Sequence, residues 1–262
     1  MNGILLAALV ISVTGLAIGL VLGIAGKKFA VEVDERVTFV RDELPGNNCG
    51  GCGYAGCDAL AEAIVKGEAP VNACPVGGAP VAQAVGKIMG TDAKPGEKKV
   101  AFVKCNGTCD KTTIKYNYYG IQDCKKMALI PGEGNKGCDY GCLGYGSCVR
   151  ACAFDAIHII NGVAVVDKEK CVSCGKCVTE CPKHLIELLP YDAKHIVQCS
   201  SHGKGKDVKA VCEVGCIGCG ICVKQCEASA ISVENNIAYI DQSKCTKCGK
   251  CAEKCPVHII VG

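Results

Sequence analysis

Two cysteine runs near the C-terminus have the spacing of iron–sulfur ligands. The pattern Cys-x2-Cys-x2-Cys-x3-Cys-Pro begins at Cys171 and begins again at Cys245. In the bacterial form of this motif three thiolates bind one [4Fe–4S] cluster, and the fourth, before proline, reaches a neighbouring cluster. Each run therefore predicts ligands for a pair of clusters.

The two runs belong to an internal repeat with an offset of 74 residues. Cys138, Cys142, Cys148, Cys152, Cys171, Cys174, Cys177 and Cys181 recur as Cys212, Cys216, Cys222, Cys226, Cys245, Cys248, Cys251 and Cys255. Short β-branched runs around Asn161-Gly162 and Asn235-Asn236 predict a hairpin in each copy. We call residues 136–190 the first repeat and residues 213–262 the second repeat.

The second repeat predicts two complete sets of ligands. Because the fourth cysteine of each run binds the neighbouring cluster, the sets are Cys216, Cys219, Cys222 with Cys255, and Cys245, Cys248, Cys251 with Cys226. Four thiolates of this spacing favour an iron cluster over a structural zinc ion, although zinc also binds four cysteines.

The first repeat departs from this pattern, because Tyr145 stands at the position equivalent to Cys219. We predict that Cys138 supplies the missing ligand. The two sets are then Cys138, Cys142, Cys148 with Cys181, and Cys171, Cys174, Cys177 with Cys152.

A further group lies towards the N-terminus. Cys49, Cys52, Cys57 and Cys74 follow a glycine-rich approach, and the stretch Asp58 to Lys66 has the composition of a helix. Glycines allow the backbone to turn tightly and to direct amide groups at a cofactor. We expect a small helical module with one cluster.

Five cysteines remain: Cys105, Cys109, Cys124, Cys199 and Cys212. Either they are structural thiols, or Cys105, Cys124, Cys199 and Cys212 form an extra metal site. The sequence thus predicts five [4Fe–4S] clusters and leaves a sixth open. A framework in which every cysteine is paired is excluded by the odd count of 25 cysteines in one chain.

The first residues predict a single membrane span. Asn2 to Gly26 has no charged side chain and is followed by Lys27 and Lys28. A helix of this length crosses a hydrocarbon core of about 30 Å. A cleaved signal peptide is disfavoured, since no basic segment precedes the long apolar run. The positive-inside tendency then predicts a cytoplasmic-membrane protein whose soluble domains lie on the cytoplasmic side.

These features predict an α+β protein in successive units. They are a transmembrane helix (1–26), a linker (27–43), an N-terminal [4Fe–4S] module (44–100), a cysteine-containing connector (101–135), a first ferredoxin-like domain (136–190), a connector (191–212) and a second ferredoxin-like domain (213–262). A net charge of +3 gives no reason to expect nucleic acid, and no phosphate-binding glycine motif predicts flavin or NAD on this chain.

The order of an uncharged span, the stretch from Cys49 to Cys57 with Cys74-Pro75, and ferredoxin repeats resembles the B subunits of Rnf complexes. These complexes couple electron flow between ferredoxin and NAD to the pumping of sodium ions or protons. The resemblance implies that Cys49, Cys52, Cys57 and Cys74 bind a [4Fe–4S] cluster. It also implies soluble ferredoxin and the other membrane and peripheral subunits as partners, with flavin and NAD chemistry in those subunits.

The predicted function is therefore membrane-bound electron transfer from reduced ferredoxin into an ion-translocating oxidoreductase. One alternative is an Rsx-type complex that keeps an iron–sulfur regulator reduced. Another is a membrane adaptor stabilised by zinc, without redox function.

Overall fold

The computed structural model describes residues 2–28, 34–93, 96–130 and 132–262. Helix α1 (Asn2–Lys28) is uncharged as far as Gly26, and its segment Leu5–Gly26 is long and apolar enough to cross a membrane. The segment makes no buried contact with the rest of the chain. Residues 29–33 of the predicted linker lie outside the described residues.

Three helices form the unit that follows: α2 (Glu35–Glu43), α3 (Cys57–Lys66) and α4 (Gly78–Met89). The Asp34 side chain caps α2 by accepting a 2.9 Å hydrogen bond from the Arg36 N–H. Helix α3 ends at Gly67, whose φ of 78° is accessible to glycine.

Helix α2 packs on both other helices, and Val40 lies fully buried beside Leu60, Ile64 and Val85. Residues 35–43 of the predicted linker therefore form a helix that joins this unit. The reason is that α2 presents apolar side chains to the same core as α3 and α4.

The first repeat and the connector before it contain two antiparallel strand pairs and three short helices. The elements are β1 (Lys99–Val103), α5 (Cys124–Met127), α6 (Ser147–Ala151), β2 (Ile157–Ile160), β3 (Val163–Val166), α7 (Lys176–Glu180) and β4 (Ile186–Pro190). Strands β2 and β3 form the predicted hairpin, and β1 pairs with β4.

The second repeat has the same plan. Its elements, with those of the preceding connector, are β5 (Ile196–Val197), α8 (Gly205–Val211), α9 (Ile221–Lys224), β6 (Ile231–Glu234), β7 (Ile237–Ile240), α10 (Lys250–Glu253) and β8 (Ile260–Val261). Strands β6 and β7 form the second hairpin, and β5 pairs with β8.

Strand register relates β1 to β5. Val103 pairs with Ile186, and Val197 pairs with Ile260, which is the equivalent of Ile186 in the repeat. Each repeat is thus completed by a strand from the connector that precedes it. Cys105 and Cys199 each stand two residues beyond these strand ends and are structurally equivalent.

Candidate metal centres

All 25 cysteines lie in the described part of the chain and all are free thiols. Twenty-four of them fall into six groups of four, which we number from the N-terminal module to the second repeat. Only Cys109 stands outside these groups; its side chain is exposed beside the turn at Gly162.

Site 1 belongs to the helical module and consists of Cys49, Cys52, Cys57 and Cys74. Asn48 Oδ1 accepts a 2.8 Å hydrogen bond from the Cys57 N–H and so fixes the start of α3. The Cys74 Sγ accepts one from the Gly77 N–H at 3.4 Å. Burial raises the pKa of Cys74, and the nearby thiols of Cys57 and Cys52 raise it further.

Site 2 lies in the first repeat and its four thiols line one cavity: Cys152, Cys171, Cys174 and Cys177. This is the set that the sequence predicts. The Ala101 N–H of β1 donates to the Cys171 Sγ at 3.4 Å. Burial raises the pKa of Cys177 to about 12, with smaller contributions from the other three thiols.

Sites 1 and 2 meet at one backbone contact. A Cβ atom placed on Gly51 would lie 2.7 Å from the Cys174 carbonyl oxygen. Cys49 is also close enough to Cys174 to contribute to its raised pKa, after burial as the main cause. The glycine therefore allows the two ligand loops to touch.

Site 3 differs from the set predicted for it. Its cavity is lined by Cys124, Cys142, Cys148 and Cys181. Burial raises the pKa of Cys148 to about 12, and the thiols of Cys142, Cys124 and Cys181 add to the rise. Cys138, which the sequence suggests as the fourth member, does not line this cavity.

The connector brings Cys124 to site 3. Cys124 begins α5, where the Asp123 side chain caps the helix by accepting from the Lys126 N–H. Its own N–H donates to the Ser147 Oγ at 2.9 Å. Tyr145, at the position of the absent cysteine, packs edge-on against Tyr118, with ring centroids 5.8 Å apart. The connector thus places a fourth thiol in the cavity where the repeat lacks one.

Site 4 lies between the two repeats, and its four thiols line one cavity: Cys105, Cys138, Cys199 and Cys212. The predicted extra site has three of these members, but contains Cys124 in place of Cys138. Burial raises the pKa of Cys138, and the thiols of Cys105 and Cys212 raise it further. The groupings at sites 3 and 4 thus differ from the predicted sets by one exchange, of Cys124 for Cys138.

Site 4 has an approximate twofold relation that explains its composition. Cys138 and Cys212 are separated by the repeat offset, and Cys105 and Cys199 are equivalent through the strand register. Residues 111–115 run between the segments that carry Cys138 and Cys212. The Thr113 N–H donates to the Val211 oxygen, and the Gly137 N–H donates to the Thr113 oxygen.

Lys136 places a buried positive charge beside site 4. Its side chain is only 4% exposed and donates to the backbone oxygens of Gly107 and Gly162, at 2.9 and 2.8 Å. Lys136 lines the same cavity as the four thiols. A cation at this place favours the thiolate form of nearby cysteines.

Site 5 lies in the second repeat, where Cys216, Cys219, Cys222 and Cys255 line one cavity. This is again the set that the sequence predicts. Burial raises the pKa of Cys222 to about 11, with contributions from the other three thiols. Cys219 is exposed to solvent.

Site 6 comprises Cys245, Cys248 and Cys251 with Cys226. Burial raises the pKa of Cys251, and the thiols of Cys245 and Cys248 contribute. Cys226 stands where Cys152 stands in the first repeat, and its Sγ accepts from the Ala230 N–H at 3.4 Å. We therefore keep Cys226 in this group.

The donor sets fit an iron–sulfur cluster, whose core is bound by four cysteine thiolates. Thiols that are spread around a small cavity, with backbone amides directed at several of them, suit an iron–sulfur core.

A further, larger cavity lies beside site 4 and shares Cys199 with it. It measures about 850 Å³ and has Cys199 as the only thiol in its described lining. Its walls carry three ion pairs: Lys104–Glu187, Lys115–Asp139 and Lys183–Glu133.

Three protein families match segments that carry the cysteines. Residues 44–76 match an Fe-S cluster family, residues 164–187 match the 4Fe-4S binding domain, and residues 215–259 match the 4Fe-4S dicluster domain. The chain therefore contains iron–sulfur domains of the 4Fe-4S type.

Curated relatives align with nearly the whole chain. The B subunit of the Na(+)-translocating ferredoxin:NAD(+) oxidoreductase complex of Acetobacterium woodii is 52% identical over 100% of this chain and 79% of its own length. The B subunit of the ion-translocating oxidoreductase complex of Methanosarcina acetivorans is 48% identical over 94% of this chain and 93% of its own. The B subunit of the proton-translocating ferredoxin:NAD(+) oxidoreductase complex of Clostridium ljungdahlii is 46% identical over 99% and 93%.

Proposed function

The chain belongs to the family of B subunits of ion-translocating oxidoreductase complexes, and from this premise we propose that it is a membrane-anchored electron carrier. It accepts electrons from reduced ferredoxin and passes them to partner subunits that react with NAD and move the ion. Two of the relatives carry ferredoxin and NAD(+) in their names, one with sodium ions and one with protons as the transported ion.

The observation that carries this proposal is the continuity of the six cysteine sites. Sites 1 and 2 meet where Gly51 contacts Cys174. Sites 2 and 3 share the first repeat, and Cys177 of site 2 is near enough to Cys148 of site 3 to contribute to its raised pKa, after burial and nearer thiols. An electron carrier needs such a sequence of neighbouring sites.

Site 4 connects the two repeats. The Cys142 N–H of site 3 donates to the Cys105 Sγ at 3.3 Å. The Cys216 N–H of site 5 donates to the Cys199 Sγ, also at 3.3 Å. Sites 5 and 6 share the second repeat. Their cysteines Cys222, Cys255 and Cys251 lie in one core. These contacts support an order of neighbouring sites from 1 to 6.

We assign one [4Fe–4S] cluster to each site, which makes six where the sequence predicts five and leaves a sixth open. When bound, each cluster takes up and releases one electron. The chain supplies four thiolates per cluster and backbone N–H groups that donate to their sulfurs, as Leu185 does to Cys181 at 3.5 Å. Such hydrogen bonds stabilise the negative charge that reduction adds.

Helix α1 serves as the membrane anchor in this proposal. Lys28 at its C-terminal end favours the cytoplasmic side for the following domains, where thiols stay reduced. Since α1 has no charged side chain between Asn2 and Gly26, we assign ion transport to other subunits. Flavin and NAD are likewise assigned to those subunits.

The test uses the full-length chain, purified in detergent without oxygen. We expect about 24 iron atoms per chain, four for each of six clusters. Reduced ferredoxin should bleach the visible absorption of the clusters. If the iron-loaded chain is bleached by dithionite but not by reduced ferredoxin, the proposal that ferredoxin is the electron donor is wrong. Bound zinc in place of iron would contradict the carrier function altogether.

A further inference from the structure

Electron entry requires a site whose cluster a soluble partner can approach. Cys219 of site 5 and Cys248 of site 6 are exposed, whereas the other cysteines of the six sites are buried or half-buried. These two cysteines therefore define two candidate faces, and both lie in the second repeat.

The charges around Cys248 are compensated. Lys247 and Lys250, on either side of it, form ion pairs with Asp192 and Glu227. A lysine that is already paired with a carboxylate contributes little to the attraction of an acidic partner.

The charges around Cys219 are different. Lys204, Lys206, Lys209 and Lys224 are exposed, and none of them forms an ion pair with any described residue. The carboxylates of the same stretch are Asp207 and Glu213, so lysines outnumber them two to one. This face is therefore basic, and its lysines can attract an acidic partner.

Helix α8 holds the lysines close to Cys219. A Cβ atom on Gly205 would lie 2.9 Å from the Ile217 oxygen, which places the start of α8 against the site 5 ligand loop. Val208 is buried on the inner side of α8. Lys206 and Lys209, three residues apart, share the outer side.

The surface at Cys219 also permits close approach. Glycines flank the thiol on both sides, and a Cβ atom on Gly220 would meet nothing within 4 Å. Ile221 and Val223 at the start of α9 are each 38% exposed and form an apolar rim. A short distance between partner and cluster is what electron transfer requires.

The first repeat closes the equivalent face. Tyr145 replaces Cys219 there and packs with Tyr118, Met127 and Leu143 under the connector. The second repeat has no such cover within the described residues. The second repeat therefore exposes this face to solvent, whereas the first repeat covers the equivalent face.

We propose that Cys219, the apolar rim of Ile221 and Val223, and the lysines Lys204, Lys206, Lys209 and Lys224 form the docking surface for a small acidic electron-carrier protein. This inference rests on the proposed function, with reduced ferredoxin as the carrier. One electron passes from the reduced carrier to the cluster held at site 5, and no covalent bond or proton changes place.

The test compares two double charge reversals in the full-length, iron-loaded chain. Lys206→Glu with Lys209→Glu changes the proposed surface. Lys87→Glu with Lys168→Glu is the matched control, since both of these lysines are exposed, lie away from Cys219 in sequence and form no ion pair with a described residue. The rate of cluster bleaching by an acidic ferredoxin is measured by stopped-flow absorption at low and high ionic strength.

We expect the surface variant to react at least ~10-fold more slowly than wild type at low salt, because electrostatic steering increases association rates by this order or more. The difference should shrink at high salt, where charges are screened. The control should behave as wild type. Lys224→Glu, on a different helix, should slow the reaction in the same direction.

The outcomes separate the two proposals. If wild type is not reduced by ferredoxin, the proposed function fails. If wild type is reduced and the surface variant reacts equally fast at low salt, with iron content and dithionite bleaching intact, the docking surface is wrong. Equal slowing of the control would also overturn it, because the effect would then follow net charge alone.

Discussion

The Cys105 Sγ accepts a hydrogen bond from the Cys142 N–H at 3.3 Å, and so a thiol of site 4 touches the ligand loop of site 3. The equivalent contact in the second repeat joins Cys199 to Cys216 at the same distance. Site 4 therefore contacts the ligand loops of both repeats in the same way. Its position makes it the junction of the two halves of the chain.

The shared cavity at site 4 predicts a pattern of iron loss. Cys105→Ala and Cys199→Ala should each remove about four iron atoms. The double variant should lose no more than either single one, because both residues serve one cluster. In contrast, Cys105→Ala with Cys124→Ala should lose about eight. Iron analysis of anaerobically purified chains decides this, with Cys109→Ala as the control that keeps its iron.

Lys136 provides a second prediction at the same site. Lys136→Met removes a buried cation and leaves the Gly107 and Gly162 oxygens without their donor, which should destabilise the fold by about 1–3 kcal/mol. Loss of the positive charge should also lower the midpoint potential of the site 4 cluster, because reduction adds negative charge.

Redox titration followed by electron paramagnetic resonance measures that potential, and the signal missing in Cys105→Ala identifies the cluster. Lys168→Met, at an exposed position, should leave all potentials unchanged. An unchanged site 4 potential in Lys136→Met would show that the buried charge does not act on the cluster.

A third prediction concerns the exchange of Cys124 and Cys138. Cys124→Ala should abolish the site 3 cluster, and Tyr145→Cys in that background should restore it, since residue 145 holds the place of Cys219. Tyr145→Cys should not restore the cluster that is lost in Cys138→Ala, because the Cys138 thiol lines site 4. Rescue of Cys138→Ala by Tyr145→Cys would support the sequence-based assignment instead.

The thiols that line sites 2 and 5 could be expected from the sequence, because most of them stand in short runs whose spacing is a local property of the chain. Site 3 could not, because Cys124 comes from a connector and its role depends on how α5 packs beside Ser147. The sequence also suggests Cys124 as the counterpart of Cys199. Only the pairing of β1 with β4 identifies Cys105 in that role.

The α+β fold class and the two hairpins can be predicted from the repeated sequence. The boundaries of the structural units cannot. Strand β1 crosses the predicted boundary at residue 100, and β5 lies in the predicted connector 191–212; they pair with β4 and β8 of the repeats that follow them. Helix α2 has five charged residues of nine and contributes Val37 and Val40 to the core, so its packing depends on the tertiary core.

A fourth prediction tests the contact between sites 1 and 2. Gly51→Val places side-chain atoms where the Cys174 carbonyl lies and should force the two loops apart. We expect ferredoxin to reduce the other clusters normally, while reduction of the site 1 cluster becomes slower, since electron transfer weakens steeply with distance. Freeze-quench paramagnetic resonance follows each cluster with time.

The control for this variant is Gly96→Val, at a glycine with open space and no positive φ. It should leave the reduction of site 1 unchanged. The Gly51→Val chain must also keep its full iron content, which separates slow transfer from loss of a cluster. Normal reduction of site 1 in Gly51→Val would mean that electrons enter the N-terminal module by another path.

The last prediction is that iron removal unfolds the repeats before the N-terminal helices. Thiols make up four of the eleven buried residues in the core of the first repeat and four of the ten in that of the second. The helical module instead buries Val40, Leu60, Ile64 and Val85, with Cys57 as its one buried thiol. Where metal ligands form much of the core, metal binding and folding are coupled.

Hydrogen exchange measured by mass spectrometry compares the iron-loaded chain with the chain after anaerobic chelation. The amides of the β2–β3 and β6–β7 hairpins should lose protection by on the order of 100-fold, whereas those of α3 and α4 should change much less. The helical module serves as the internal control within the same molecule. Hairpins that stay protected without iron would mean that the repeats fold on apolar packing alone, and their thiols would then be held in place before any metal arrives.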